Sequence, residues 1–155
     1  MALDIKTILV PVDFGETAAH ALDSALDLAK QLRAQVHVLH VYMIPVYGFP
    51  DGAFLTGPDV AVKIEEAAQK GLNELVARVS DRGVTVGHSI RQGSAHEEIV
   101  AAAKDLPAEL IVMGTHGRGM IAHALLGSVT ERVVRTSTVP VLTIRHREKN
   151  QGKSG

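Results

Sequence analysis

The apolar positions of this chain change period repeatedly, and each change marks an element. Residues Ile5 to Val12, IKTILVPV, form a β-branched run that predicts a strand ending at Asp13. From Thr17 the spacing becomes helical: Ala18, Leu22, Ala25, Leu26, Ala29 and Leu32 share one face, with Asp23, Asp27 and Lys30 off it. Val36 to Val41, VHVLHV, predicts a second strand after a short connection, giving a βαβ unit whose strands run parallel through a right-handed crossover. Residues 42 to 59, YMIPVYGFPDGAFLTGPD, follow neither period, and hold three prolines, three glycines and four of the chain's five aromatics. Such a stretch either packs over the helices as a flap, the commoner fate of apolar loop residues, or closes as a lid over the carboxyl edge of the second strand.

Helical spacing returns with Val60, Ile64, Ala67, Ala68, Leu72, Leu75, Val76 and Val79, and is expected to close near Arg82-Gly83. Val84, Val86, His88 and Ile90 then alternate with Thr85, Gly87 and Ser89, which predicts a third strand with one polar face, suited to a sheet edge. Ser94-x-x-Glu97 reads as a capping box opening a helix from Ala95 to about Asp105, stopped by Pro107. Leu110 to Met113 is a fourth strand. Ser128-x-x-Glu131 reads as a second capping box, with Ser128 as N-cap of a helix running through Val133 and Val134, and VPVLTIR from Val139 to Arg145 is a fifth strand. The closing HREKNQGKSG is polar enough for a disordered tail, so the domain is expected over residues 1–146 and the tail over 147–155.

This alternation predicts an α/β fold: an open, doubly wound, five-stranded parallel sheet with helices on both faces and strand order 3-2-1-4-5. In that order the chain reverses direction between the first and fourth strands. Ligands of such sheets bind outside the carboxyl ends of the strands at the reversal, so Asp13 and Gly114 are expected to face each other across one crevice.

Composition narrows the possible ligands. At 155 residues the chain accommodates one domain with a full core. A formal net charge of −1 offers no basic field for a nucleic-acid backbone. With no cysteine, disulfides, thiol catalysis and Cys-based metal sites are excluded. The start, MALDIKTILVPV, lacks the features of a secretory signal, and no apolar run is long enough to span a membrane, so a cytoplasmic location is expected.

The stretch from Gly114 to Thr130, GTHGRGMIAHALLGSVT, joins the fourth strand to the last helix and is dense in glycine, as suits a backbone that approaches an anion ahead of a helix start. It is not a P-loop, because Met120-Ile121 stand where lysine and a hydroxyl residue are required. Nor does Gly117-x-Gly119-x-x-Ala122 satisfy the dinucleotide fingerprint, since no acidic residue follows at the end of a next strand. A phospho-receiver would need an acidic pair beside Asp13 and an aspartate after the third strand. His116 and His123 lack partners at zinc spacing, His96-Glu97-Glu98 is not a zinc helix, and His40 is expected as a core or edge residue. Asp13 could by itself cap the first helix.

The spacing that does match is Gly114-x2-Gly117-x9-Gly127-Ser128. With ILVPVDF at 8 to 14, LHV at 39 to 41, HEEIV at 96 to 100, IVMGTHGRG at 111 to 119, LLGSVTERVV at 125 to 134 and PVLTIR at 140 to 145, the chain resembles the ATP-binding subgroup of the universal stress proteins over residues from about 5 to 145. Gly15, where that family often has serine, is a departure. The resemblance implies a fold like that of adenine nucleotide alpha hydrolases and a bound ATP, or ADP or AMP, with magnesium reached through Asp13. It implies that the main chain around Val41, with Pro11 and Val12, holds the adenine, that Asp13 and the Met113-Gly114 backbone face the ribose, and that the phosphates lie along Gly117, Arg118, Gly119, Gly127, Ser128, Val129 and Thr130. Arg118 and Asp13 are a thin set for phosphoryl transfer, so at most slow ATP hydrolysis is expected of a nucleotide-responsive stress protein. The apolar fifth strand, at an edge, is expected to pair with a second copy, and the resemblance implies the same homodimer through Val139 to Arg145. The competing readings are a dimeric scaffold with no obligatory nucleotide and an adenylate-forming enzyme.

Overall fold

The computed structural model describes residues 3–52, 54–55, 57–116 and 126–146. Along the chain the elements are β1 (Thr7–Pro11), α1 (Glu16–Leu32), β2 (Gln35–Tyr42), β3 (Tyr47–Gly48), β4 (Phe54–Leu55), α2 (Pro58–Val79), β5 (Val86–Gln92), α3 (Ala95–Asp105), β6 (Leu110–Gly114), α4 (Ser128–Thr136) and β7 (Val141–Ile144). Five of the strands form one sheet in the order β5-β2-β1-β6-β7, parallel at every pairing. Numbered by sheet strands alone, this is the expected 3-2-1-4-5.

The two helical layers follow from which strand positions are apolar on each side. On one face, Ala18, Ala21, Leu22, Ala25, Leu26 and Ala29 of α1 join Leu72, Leu75 and Val79 of α2 over Ile8, Val10, Val36, Val38, Leu110 and Val112. Small alanines bring α1 close to the sheet. On the other face, Ile99, Ala102 and Ala103 of α3 and Val133 of α4 cover Leu9, Leu39, Ile111 and Met113. Central β1 is buried at every position, which is why its sequence is a run and not an alternation.

Several local expectations change. The segment 42–59 is not wholly irregular, since β3 and β4 pair antiparallel, Tyr47 with Leu55 and Gly48 with Phe54. Met43, Val46 and Phe49 in it are exposed, so these side chains do not serve as a flap over the core. Neither capping box forms. Ser94 holds the N-cap position of α3 without a side-chain cap bond, its hydroxyl meeting His96 Nδ1 at 3.1 Å instead. At α4 the N-cap is Gly127, in extended conformation, and Ser128 is the first helical residue. Glu131 pairs with Arg135 one turn on. The expected tail, 147–155, lies outside the described residues.

Edge strand β5 carries the polar face its sequence shows. Beside it, His37 of β2 meets the Ser89 hydroxyl through Nε2 at 2.8 Å. Burial, then the neighbouring His88 and Arg91 charges, lower the His37 pKa from its ordinary 6.5. A histidine with a depressed folded pKa contributes stability that is fully present above the unfolded value and is lost as pH falls below it. The unfolding midpoint is therefore expected to drop as pH is lowered from about 6.5 towards 5, and His37→Asn is expected to flatten that drop. An equal slope in the variant, measured by thermal melts across this range, would contradict the assignment.

Candidate functional site

The crevice is built where β1 stops. Val12 N–H donates the last ladder bond, to Leu39 O at 2.8 Å. The chain then turns: Asp13 Oδ1 accepts from Gly15 N–H at 2.8 Å, and Phe14 takes the left-handed conformation at φ 63°. Gly15 is the N-cap of α1 with an ordinary φ of −82°. Asp13 thus closes a local turn instead of capping the helix, and the strained residue is Phe14, not the glycine beside it. The Phe14 ring is fixed against His40, centroid to centroid 4.3 Å, and against Gly71, where a Cβ would stand 3.1 Å from the ring.

His40 has a second contact that shapes the site. Its Nδ1 carries the proton and donates to Val12 O at 2.7 Å, since a carbonyl can only accept. In a parallel ladder, alternate residues turn their N–H and C=O to the same neighbour. Leu39 faces β1, so Val41 does too, but β1 has ended and the Val12 carbonyl, the next acceptor in line, is occupied by His40. Among the described residues no hydrogen bond joins Val41 to that side. Its N–H and C=O are left as a donor and acceptor pair at the rim of the crevice.

The opposite wall comes from the ends of the glycine-rich stretch. Gly127 N–H donates to Thr115 O at 2.6 Å, and the Thr130 hydroxyl donates to Gly114 O at 2.8 Å. These bonds hold the first turn of α4 beside the end of β6. Thr130 is buried and its hydroxyl proton is spent on the strand, so its amide is the one donor it keeps for a ligand. Because Gly127 supplies the cap, the Ser128 hydroxyl is not used to close the helix. The amides of Ser128, Val129 and Thr130 have no intrahelical acceptor and carry the positive end of the helix dipole.

These walls enclose a cleft of about 380 Å³, within the usual range for small-molecule sites, roughly 300–1,000 Å³. Pro11, Val12, Asp13, Val41, Met113, Gly114, Gly127, Ser128, Val129 and Thr130 all line it. Gly117, Arg118 and Gly119 lie outside the described residues. Five residues outside the expected set also line the cleft: Ala18, Leu39, Ala95, Ile99 and His116. Leu39 shares a strand face with Val41, and Ile99 is one helical turn from Ala95, so the two periods carried the signal. For His116 the sequence offers no such signal, since it lies beyond the end of β6.

A doubly wound parallel sheet with a ligand-sized cleft at its switch point defines an open α/β domain of the class whose ligand sites lie at the strand reversal. The chain belongs to the universal stress protein family, whose sequence model matches residues 4–145. Universal stress protein MJ0577 of Methanocaldococcus jannaschii is 31% identical over 160 residues, which cover 95% of this chain and 99% of that protein. Universal stress protein YxiE of Bacillus subtilis is 30% identical, with coverage of 89% and 97%. The solved structure of MJ0577 superposes with a TM-score of 0.73 at 30% identity, covering 93% of this chain and 98% of that one. A universal stress protein solved in complex with cAMP superposes with a TM-score of 0.69 at 25% identity, covering 94% and 99%.

Proposed function

We propose that this universal stress protein binds an adenine nucleotide, ATP foremost with ADP or AMP as alternatives, in the cleft between Val41 and α4. The observation that carries the proposal is the pairing of complementary ends. Val41 offers a donor and an acceptor over the apolar slot of Leu39, Ile99 and Met113, as a purine edge and ring require, and α4 offers first-turn amides to phosphate. The related protein that holds cAMP supports an adenine ring in a site of this fold. Asp13, between the two ends, suits the ribose or a magnesium ion carried by the nucleotide. Asp13 and Arg118 are a thin set for phosphoryl transfer, so the proposed role is binding, with hydrolysis slow at most.

Thermal stability with and without nucleotide and magnesium tests this. Ligand at about a hundred times its dissociation constant raises stability by about 2.7 kcal/mol. No shift with millimolar ATP, ADP or AMP would sink the nucleotide assignment and leave the scaffold reading.

The protein is further proposed to pair with a second copy through β7. Pro140 O accepts from Ile111 N–H at 3.0 Å, so the proline turns its missing donor inward and the outer edge keeps the main-chain groups of Val141 and Thr143. Leu142 beside them is 42% exposed. Leu142→Asp is expected to convert a dimeric mass to a monomeric one in light scattering at micromolar concentration. A monomer already in the unaltered protein would refute the pairing.

A further inference from the structure

Away from the cleft, the first two turns of α1 and the second residue past the end of β7 bring three metal-ligating side chains together. Glu16 and His20 are four residues apart, hence on one face of the helix. His146 arrives beside them from the other direction. One ligand atom from each of Glu16, His20 and His146 lies within 4.8 Å of the others. His146 Nε2 is 3.6 Å from Glu16 Oε1, and the two imidazoles stack with centroids 4.0 Å apart. Among the described residues, no hydrogen bond engages these three side chains.

We propose that Glu16, His20 and His146 bind one divalent transition ion of the zinc, cobalt or nickel type. Two imidazoles and a carboxylate are the donors such ions prefer, whereas magnesium and calcium favour oxygen-only sets. With bonds of about 2.0–2.2 Å, ligand atoms around a tetrahedral ion stand about 3.4 Å apart. The Glu16–His146 distance is already close to that. The stacked rings point their in-plane lone pairs nearly parallel, at an interplanar angle of 12°, so one ring must turn out of the stack for both to converge on the ion. Glu16 and His20 are exposed, so the turn is made at the surface and not within the core. Three protein ligands leave a fourth position to water.

The position gives the site a structural consequence. Gly114 sits against Thr17, the residue after Glu16, and pairs with Ile144, two residues before His146. An ion held here ties α1 to the end of β7 on either side of the strand that floors the cleft, without using any cleft residue.

The test uses the full chain free of nucleotide, so its outcome is separate from that of the nucleotide proposal. Titration with zinc is expected to show one equivalent bound and a raised thermal midpoint, with no shift from magnesium. Cobalt is expected to give the intense visible bands of a low-coordinate site. His20→Ala and His146→Ala are each expected to weaken zinc binding by about tenfold or more, while His88→Ala, an exposed histidine elsewhere, leaves it unchanged. Circular dichroism checks that each variant is folded. The absence of a bound equivalent in the unaltered protein, or zinc affinity in the His20 and His146 variants equal to that of the unaltered protein, would overturn the proposal.

Discussion

Gly114→Ala is expected to destabilise the protein by about 1–3 kcal/mol, the usual cost of forcing a methyl into a packed interior, and Gly114→Val by more. A Cβ at this position would stand 2.5 Å from Thr17 Cγ2 and 3.3 Å from the Thr17 carbonyl oxygen. The first contact cannot be accommodated without movement of a side chain, and the second involves the backbone of α1. Thr17 belongs to the first turn of a helix whose alanine-rich face is pressed to the sheet, so the helix cannot simply retreat. The glycine is therefore required for packing of β6 against α1, whatever ligand the cleft holds.

A double-mutant cycle separates this from a general effect on the strand. Thr17→Ser removes Cγ2 and keeps the hydroxyl, so it is expected to recover a large part of the loss in Gly114→Ala while changing little alone. Chemical denaturation of the four proteins supplies the coupling. Additive losses would show that the 2.5 Å contact does not limit the substitution.

The order of elements was legible because each layer of this fold writes its own period. The buried run of β1, the alternation in β5 and the helical stripe of α1 are direct records of how many faces each element buries, and strand order followed from the crossover rule. What was not legible is local hydrogen bonding. Gly127 performs the cap by its extended backbone, which the Ser-x-x-Glu spacing does not encode, and so Ser128 is the first helical residue and not the N-cap. The left-handed Phe14 is held by contacts with Gly71 and His40 that are distant in sequence. The same holds for the exposed main chain of Val41. It depends on β1 ending one residue early and on a histidine occupying a carbonyl, neither of which any spacing encodes. Motif resemblance brought the cleft residues together, while the chemistry each contributes was set by the fold.

The correction at Ser128 makes a clean test of the phosphate end possible. Ser128→Pro is expected to lower nucleotide affinity by about tenfold to a hundredfold, because a hydrogen bond from a backbone amide to a charged group contributes about 1.5–3 kcal/mol. Proline is tolerated at the first helical position, where its N–H has no partner within the helix and its fixed φ is already helical. The residue before a proline must be extended, and Gly127 is, at φ −69° and ψ 162°. The bonds that hold α4 in place, Gly127 N–H to Thr115 O and Thr130 hydroxyl to Gly114 O, do not involve Ser128. The substitution thus removes an amide and a hydroxyl from the cleft and leaves the unliganded melting temperature nearly unchanged. Ser128→Ala, which removes the hydroxyl alone, divides the loss between the two groups. Calorimetric titration with ATP and with adenosine sharpens the outcome. If the first-turn amides receive phosphate, Ser128→Pro weakens ATP and spares adenosine; equal weakening of both would move the phosphates away from α4.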